Sequence, residues 1–231
     1  IKFALSEEPG VNNNSIHRIL YNFFHIYLSN THAPLGDRLD IIDDLINSEK
    51  LDEQGLGISL LEEVLEYGHT FYGSPLCDFG TKIRDYGLMP KPMEWFDEVF
   101  NYLDELLDKG ILYDQIKEVI ANNFVDLYRS GFGEKLDQLV KKNLKKANWP
   151  RIWVALLTLK RIDKDKIPDK YIKMINNLIE LVKPSNTRER LVTYLYGGRR
   201  VRLGLDVAYN NFEEVNNATQ ILGQLAFFRF F

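Results

Sequence analysis

Apolar residues recur every three to four positions through most of this sequence, a spacing that places their side chains on one face of an α-helix. Over residues 53–66 the apolar positions are Leu56, Leu60, Leu61, Val64 and Leu65. The same spacing predicts helices at 15–28, 34–47, 53–66, 93–108, 112–128, 134–146, 150–159, 169–182, 187–196 and 213–228. Because an amphipathic helix must bury its apolar face against another element, the sequence predicts an all-α fold.

The order and length of the predicted helices favour a helical-repeat architecture. Paired amphipathic helices of this length are typical of an irregular α-solenoid or a helical bundle. We therefore expect about ten helices in a single domain over residues 1–231, with a long ordered loop near residues 67–91. Residues 200–209 alternate apolar and polar positions as a strand would, but a lone strand has no partner, so a helix or extended loop is favoured there.

Charge is distributed unevenly along the chain, although the net charge is only −4. Residues 1–110 contain 8 Lys and Arg against 20 Asp and Glu, whereas residues 129–173 contain 13 against 5. This asymmetry predicts an acidic sub-lobe at 1–110 and a basic one at 111–231. Such lobes can attract each other or bind different partners.

Cysteine content and hydropathy indicate the compartment. Cys77 is the only cysteine, so no intrachain disulfide can form, and we expect a reducing, cytoplasmic environment. No apolar run is long enough to cross a membrane, and the first ten residues lack the pattern of a signal peptide. The first residue is Ile1 and the last ten are strongly apolar, so we expect a fragment of a larger protein.

The triplet Asp78-Phe79-Gly80 resembles the magnesium-binding triplet of protein kinases. In a kinase that aspartate works only with a glycine-rich loop, a strand lysine and a catalytic-loop aspartate upstream, and the sequence contains none of these. The pair Arg84 and Asp85 follows the triplet, which is the wrong order for a catalytic loop. The triplet is therefore interpreted as part of a turn, in which Gly80 supplies backbone freedom.

Histidine and cysteine spacing gives no indication of a metal or thiol site. His17 and His25 are eight residues apart, and no helical carboxylate-histidine motif accompanies them. A nucleophilic Cys77 would need a base such as His69, and nothing else in the sequence indicates an activated thiol. We expect no catalytic, cofactor-binding or metal-binding residue in this chain, and a helical enzyme that uses Cys77 or His69 is the third hypothesis.

Clustered cations are candidates for contacts with nucleic-acid phosphates. They are Lys141, Lys142, Lys145 and Lys146, followed by Arg199, Arg200 and Arg202. A solvated helix face is the favoured interpretation of the lysines, and the acidic pI of 5.7 argues against a dedicated nucleic-acid binder. Trp149 and Trp153 could anchor a protein partner, although packing between helices is the favoured interpretation.

Two stretches are similar to a known family. The first runs from LSNTHAPLGDRLDIIDDLI through LGISLLEEVLE to FGTKIRDYGLMPKPMEWFDEVFNYLDELL. The second is NWPRIWVALLTLKRID followed by NTRERLVTYLYG. They resemble the helical region that follows the nucleotide-binding part of large bacterial STAND-type or sirtuin-like antiphage defence proteins.

This resemblance implies a helical arm that senses a phage component or couples sensing to an effector. It also implies that the stretch around residues 78–92 is an ordered connector between helices. The residues expected to order it are Phe79, Gly80, Arg84, Asp85, Tyr86 and Gly87. The chain lacks a Walker motif and a sirtuin-type nucleotide site, so ATPase or NAD-cleaving activity would belong to other parts of such a protein.

Our leading hypothesis is therefore a non-enzymatic protein-interaction and sensor module of a larger defence protein, without a cofactor. Its expected partners are other domains of the same protein or a phage or host protein, and the larger protein could mediate oligomerisation. The alternative is a nucleic-acid-contacting helical domain that uses the cations of residues 141–173 and 199–202.

Overall fold

The fold is all-α in the computed structural model, which describes residues 1–7, 15–26, 31, 33–67, 91–146, 148–163 and 167–185. The α-helices are α1 (Lys2–Leu5), α2 (Ile16–Asn22), α3 (Leu35–Ile46), α4 (Leu51–Leu65), α5 (Pro92–Lys109), α6 (Tyr113–Leu127), α7 (Gly133–Asn143), α8 (Pro150–Ile162) and α9 (Asp169–Val182). Residues Tyr128–Phe132 connect α6 to α7 through a kink at Gly131, whose backbone φ of 96° is not helical. The chain divides into two compact units, Ile1–Ser130 (unit 1) and Gly131–Phe231 (unit 2).

Helices α3 to α9 confirm the predicted helices to within three residues at each end, and α9 has the predicted bounds. Helix α5 ends at Gly110, which adopts a left-handed backbone with φ 73°. The helices predicted at 187–196 and 213–228, the 200–209 segment and all but the ends of the 67–91 loop lie outside the described residues. Three expectations stay predictions: the number of helices, the choice between solenoid and bundle, and the single domain with its two sub-lobes.

Helix α2 is shorter than predicted: it ends at Asn22 rather than at Leu28. The backbone N–H groups of Phe23 and Phe24 donate to carbonyls three residues back, which tightens the last turn and ends the helix. The carbonyl of His25 is then bound by the side chain of Arg38 rather than by a helical N–H group. Phe24 is buried beyond the end of the helix.

The start of α2 is stabilised by a residue that lies outside the helix. The carboxylate of Glu7 accepts hydrogen bonds from the backbone N–H groups of Ile16 and His17 at 2.8 and 3.1 Å. It also accepts a bond from the Ser15 hydroxyl at 2.7 Å. Glu7 therefore acts as the N-terminal cap of α2, a position where its negative charge is favoured by the helix dipole.

Unit 1 buries the apolar faces of α3 to α6. Helix α3 packs against α4, and α4 packs against α5 and α6. The largest enclosed side chains are Ile42, Ile46, Leu60, Leu61, Leu65, Phe96, Leu103, Leu106, Leu107 and Phe124. The five apolar positions of residues 53–66 that the spacing places on one face are all buried in α4.

Unit 2 has its described core between α7, α8 and α9, where α9 packs against both other helices. Enclosed side chains include Leu136, Val140, Trp149, Ile152, Leu156, Leu159, Ile175 and Leu178. No helix among the described residues is both long enough and apolar enough to span a membrane.

Candidate functional site

Only some of the sequence-predicted site residues can be placed. The six residues of the predicted connector, Phe79, Gly80, Arg84, Asp85, Tyr86 and Gly87, lie outside the described residues, as do Arg199 and Arg200. The candidate catalytic residues Cys77 and His69 lie outside them too.

The two tryptophans considered as anchors for a partner, Trp149 and Trp153, lie in the interior of unit 2. Trp149 is 2% exposed and Trp153 is 6% exposed, at the start of α8. This burial favours the interpretation that both indoles pack helix against helix.

The predicted lysines lie on or just after the last turn of α7 and are exposed: Lys141, Lys142 and Lys145. The Lys141 ammonium lies 2.8 Å from the carboxylate of Asp137, one turn back on the same helix. Such a surface pair is weak and screened by salt. The arrangement places exposed positive charge on unit 2.

Unit 1 presents an acidic surface that carboxylates of α3 and α5 form. On α3, Asp40 and Asp43 lie one turn apart on the stripe that faces α5. On α5, Glu98 and Glu105 flank Tyr102, whose hydroxyl donates to Asp43 at 3.2 Å. We call Asp40, Asp43, Glu98 and Glu105 the acidic face.

The carboxylates near Tyr102 affect its pKa. Burial, and then the charge and hydrogen bond of Asp43, raise the pKa of Tyr102, with further contributions from Glu105 and Asp40. Among the described residues, Lys109 is the one basic side chain that pairs with this face: its ammonium lies 3.8 Å from the carboxylate of Asp43. The four carboxylates therefore leave a local excess of negative charge at a partly exposed surface.

A second cluster in unit 1 joins side chains that are distant in sequence. His25 follows α2, whereas Glu63 lies in the last turn of α4 and Glu66 is the residue after it. The Nε2 atom of His25 is 2.6 Å from Oε2 of Glu63 and 3.7 Å from Oε2 of Glu66. All three side chains are partly exposed, at 16%, 21% and 36% respectively.

A buried arginine holds the backbone next to this cluster. Arg38 is 4% exposed, donates to the carbonyl of His25 at 2.8 Å, and donates twice to the carbonyl of Ala33. Its guanidinium stacks over the ring of Trp95, 5.0 Å from the centroid. Burial lowers the pKa of Arg38 to about 10, which still leaves it charged at neutral pH.

Trp95 extends this support to α4. Its indole N–H donates to the carbonyl of Val64 at 3.0 Å, in the same turn that carries Glu63. Arg38 and Trp95 thus connect the segment after α2 with the end of α4 and the start of α5.

Sequence spacing could not have found the His25 cluster, because Glu63 is 38 residues from His25. The available signal was the i, i+3 pair of glutamates at the end of a predicted helix, which many solvated helices also contain.

Comparisons with known proteins give no assignment: no family model, no curated protein and no solved structure matches this chain.

Proposed function

We propose that this chain is a non-enzymatic protein-interaction module that binds a basic segment of a partner protein at its acidic face. The observation that carries the proposal is the convergence of three carboxylates, Asp40, Asp43 and Glu105, around Tyr102. The carboxylate of Glu98 lies beside α3 on the same helix as Tyr102, 3.7 Å from the position of a Cβ on Gly36. Like-signed charges gathered on one surface attract an oppositely charged partner and raise its rate of association.

The contacts at this face suit recognition of Lys and Arg side chains. Carboxylates accept charge-assisted hydrogen bonds from ammonium and guanidinium groups, and Arg binds them in a two-point geometry. Ile41, which is 37% exposed on the same helix as Asp40 and Asp43, adds apolar area beside the charges. A basic segment that also carries an apolar residue would fit both features.

The resemblance to helical regions of STAND-type or sirtuin-like antiphage defence proteins suggests the setting. In that setting the module is cytoplasmic, and its partner is another domain of the same protein or a phage or host protein. The two compact units carry opposite net charge, with 10 Lys and Arg against 23 Asp and Glu in unit 1 and 19 against 10 in unit 2. A basic partner would therefore be directed to unit 1.

Charge reversal tests the proposal. The double variant Asp40→Lys/Glu98→Lys is compared with Glu49→Lys/Asp114→Lys, which makes the same change in net charge at exposed positions of unit 1 that are not part of the acidic face. Peptides that bind the native chain are first selected from an array of Lys- and Arg-containing sequences. Their affinity for the native chain and for both variants is then measured by fluorescence anisotropy. The first variant should lose at least about tenfold in affinity, and the second should lose much less.

Equal losses in both double variants would mean that only the overall charge matters and would contradict the proposal. Hydrolysis of ATP or NAD by the purified chain would contradict its non-enzymatic part.

The second candidate function is contact with nucleic acid, which the exposed Lys141, Lys142 and Lys145 favour. Binding to a duplex or single strand should then weaken steeply with salt. The triple variant Lys141→Glu/Lys142→Glu/Lys145→Glu should reduce that salt slope. Binding that ignores these substitutions would exclude this use of α7.

A further inference from the structure

We propose that His25, Glu63 and Glu66 form a binding site for one divalent transition-metal ion, of the Zn²⁺ or Mn²⁺ type. The side chains offer one imidazole nitrogen and two carboxylate oxygens, all within 4.8 Å of one another. Imidazole and carboxylate are ordinary ligands of both ions. The proposal departs from the sequence expectation, which contained no metal site.

The distances fit such an ion after small side-chain movements. Zinc–ligand bonds of about 2.0–2.2 Å place two ligand atoms of a tetrahedral site roughly 3.3 Å apart. The His25–Glu63 distance of 2.6 Å would have to open, and the His25–Glu66 distance of 3.7 Å would have to close. Both changes are below about 1 Å on that geometry, which partly exposed glutamates can accommodate by rotation.

The backbone around the ligands is already ordered by other contacts. Arg38 binds the carbonyl of His25, and Trp95 binds the carbonyl of Val64, next to Glu63. Val64 and Leu65 are fully buried, so the turn that carries Glu63 is held by the core. Ligands on such supported backbone lose little freedom on binding a metal, which favours affinity.

The local charge favours a dication. Two carboxylates and a neutral imidazole offset the charge of one divalent ion. Helix α4 ends at Leu65, so its last carbonyls add the negative end of the helix dipole at the same place. Three protein ligands leave a coordination position for water or for a group of a partner, as in zinc sites that are not closed.

Glu66 distinguishes the metal site from a simple hydrogen-bonded pair. The 2.6 Å contact between His25 and Glu63 is also an ordinary hydrogen bond, in which His25 Nε2 donates. Glu66 lies too far from His25 Nε2 for a hydrogen bond, so a pair of His25 and Glu63 would lose little when Glu66 becomes Gln. A metal site would lose one of its three ligands.

The experiment uses the full 231-residue chain after removal of metals with a chelator. Isothermal titration calorimetry with Zn²⁺ and with Mn²⁺ should show one ion per chain for at least one of the two. Glu66→Gln and His25→Gln should each weaken that binding by at least about tenfold, since even residues that only orient ligands change metal affinity by about 10–100-fold. The control is His17→Gln, because His17 lies in the same unit and contacts one carboxylate, at 2.7 Å.

Spectroscopy provides a second measurement if His25→Gln does not fold, which circular dichroism would show. Co²⁺ bound to the native chain should give visible absorption bands of a nitrogen- and oxygen-ligated ion, and Glu66→Gln should reduce or remove them. Absence of binding by the native chain would overturn the proposal. Binding that Glu66→Gln leaves unchanged, or that His17→Gln weakens equally, would also overturn it.

Discussion

The two compact units use the same kind of helix but differ in what they place inside and outside. Unit 1 buries an arginine among its apolar side chains, and its sequence has a net negative charge. Unit 2 encloses two tryptophans in its described part and has a net basic sequence. Helices α3 to α9 follow the apolar periodicity in both units, so periodicity determines these helices while single residues determine the interior and the surface charge.

The interior of unit 1 should lose stability when its buried arginine is replaced, and Arg38→Met tests this with the largest expected effect. The substitution keeps much of the side-chain volume but leaves the carbonyls of His25 and Ala33 without their donors. We expect a loss of about 3 kcal/mol in the free energy of unfolding, measured by urea denaturation, because buried unsatisfied groups are destabilising.

The matched control is Arg129→Met, an exposed arginine of the same unit that pairs with Asp126 at 3.6 Å. It should change stability by less than about 0.5 kcal/mol. Hydrogen exchange should rise in peptides of α2 to α5 of the Arg38 variant and stay unchanged in peptides of α8 and α9. Equal rises in both units would show that the two are not separate in stability.

Glycines provide the next comparison, since each unit uses one for a different reason. A Cβ at Gly57 would lie 3.0 Å from side-chain atoms of Leu45 and Ile46, so α3 would have to move slightly to admit a side chain there. In unit 2, Gly131 has open space around it but a backbone φ of 96°, which side chains rarely adopt. Gly57→Ala should destabilise the chain by about 1–3 kcal/mol and Gly131→Ala by about 1 kcal/mol.

Gly55 is the control, because it lies on α4 with nothing within 4 Å of an added Cβ. Gly55→Ala should stabilise by about 0.5–1 kcal/mol through its higher helix propensity. Thermal denaturation of the three variants gives the signs directly. Stabilisation by Gly57→Ala would show that the α3–α4 contact is looser than described.

Acid sensitivity is the smallest predicted difference and concerns the cap of α2. The Ser15 hydroxyl above all, then the N–H of Ile16 and the ring and N–H of His17, lower the pKa of Glu7 to about 2 from 4.5. Because the folded-state pKa is lowered, this stabilisation is present above about pH 4.5 and is lost as the pH falls towards 2. Glu7→Gln should remove that part of the pH dependence.

The measurement is the thermal midpoint of native chain and Glu7→Gln between neutral pH and pH 2. The two curves should differ at neutral pH and converge in acid, and Ser15→Ala should move the convergence to higher pH. Parallel curves at every pH would mean that the Glu7 carboxylate does not cap α2.

The sequence predicted the elements that depend on local pattern. Gly110 ends α5 through its own left-handed backbone, which depends on that residue alone. The bounds of α9 follow from one uninterrupted apolar stripe. The sequence missed what depends on distant partners: the cap that Glu7 provides to α2, the burial of Arg38, and the close approach at Gly57. Arg38 stands on a helix otherwise rich in exposed carboxylates, so its pattern is that of a surface residue.

The candidate sites follow the same division. The acidic character of the first part of the chain was countable, but the meeting of α3 and α5 carboxylates around Tyr102 requires the packing of two helices. The His25 cluster requires a chain reversal between α2 and α4, which no local spacing encodes.

The bond between Trp95 and the carbonyl of Val64 also fixes the two ends of residues 68–90. Tyr67 and Phe96 lie with their rings 5.7 Å apart, one on each side of that segment. Its entry and exit points are therefore tethered next to each other, whatever path the residues between them take. A change in the length of this segment would alter the entropy of closing it only slowly, so the tether would tolerate insertions that a tight turn could not.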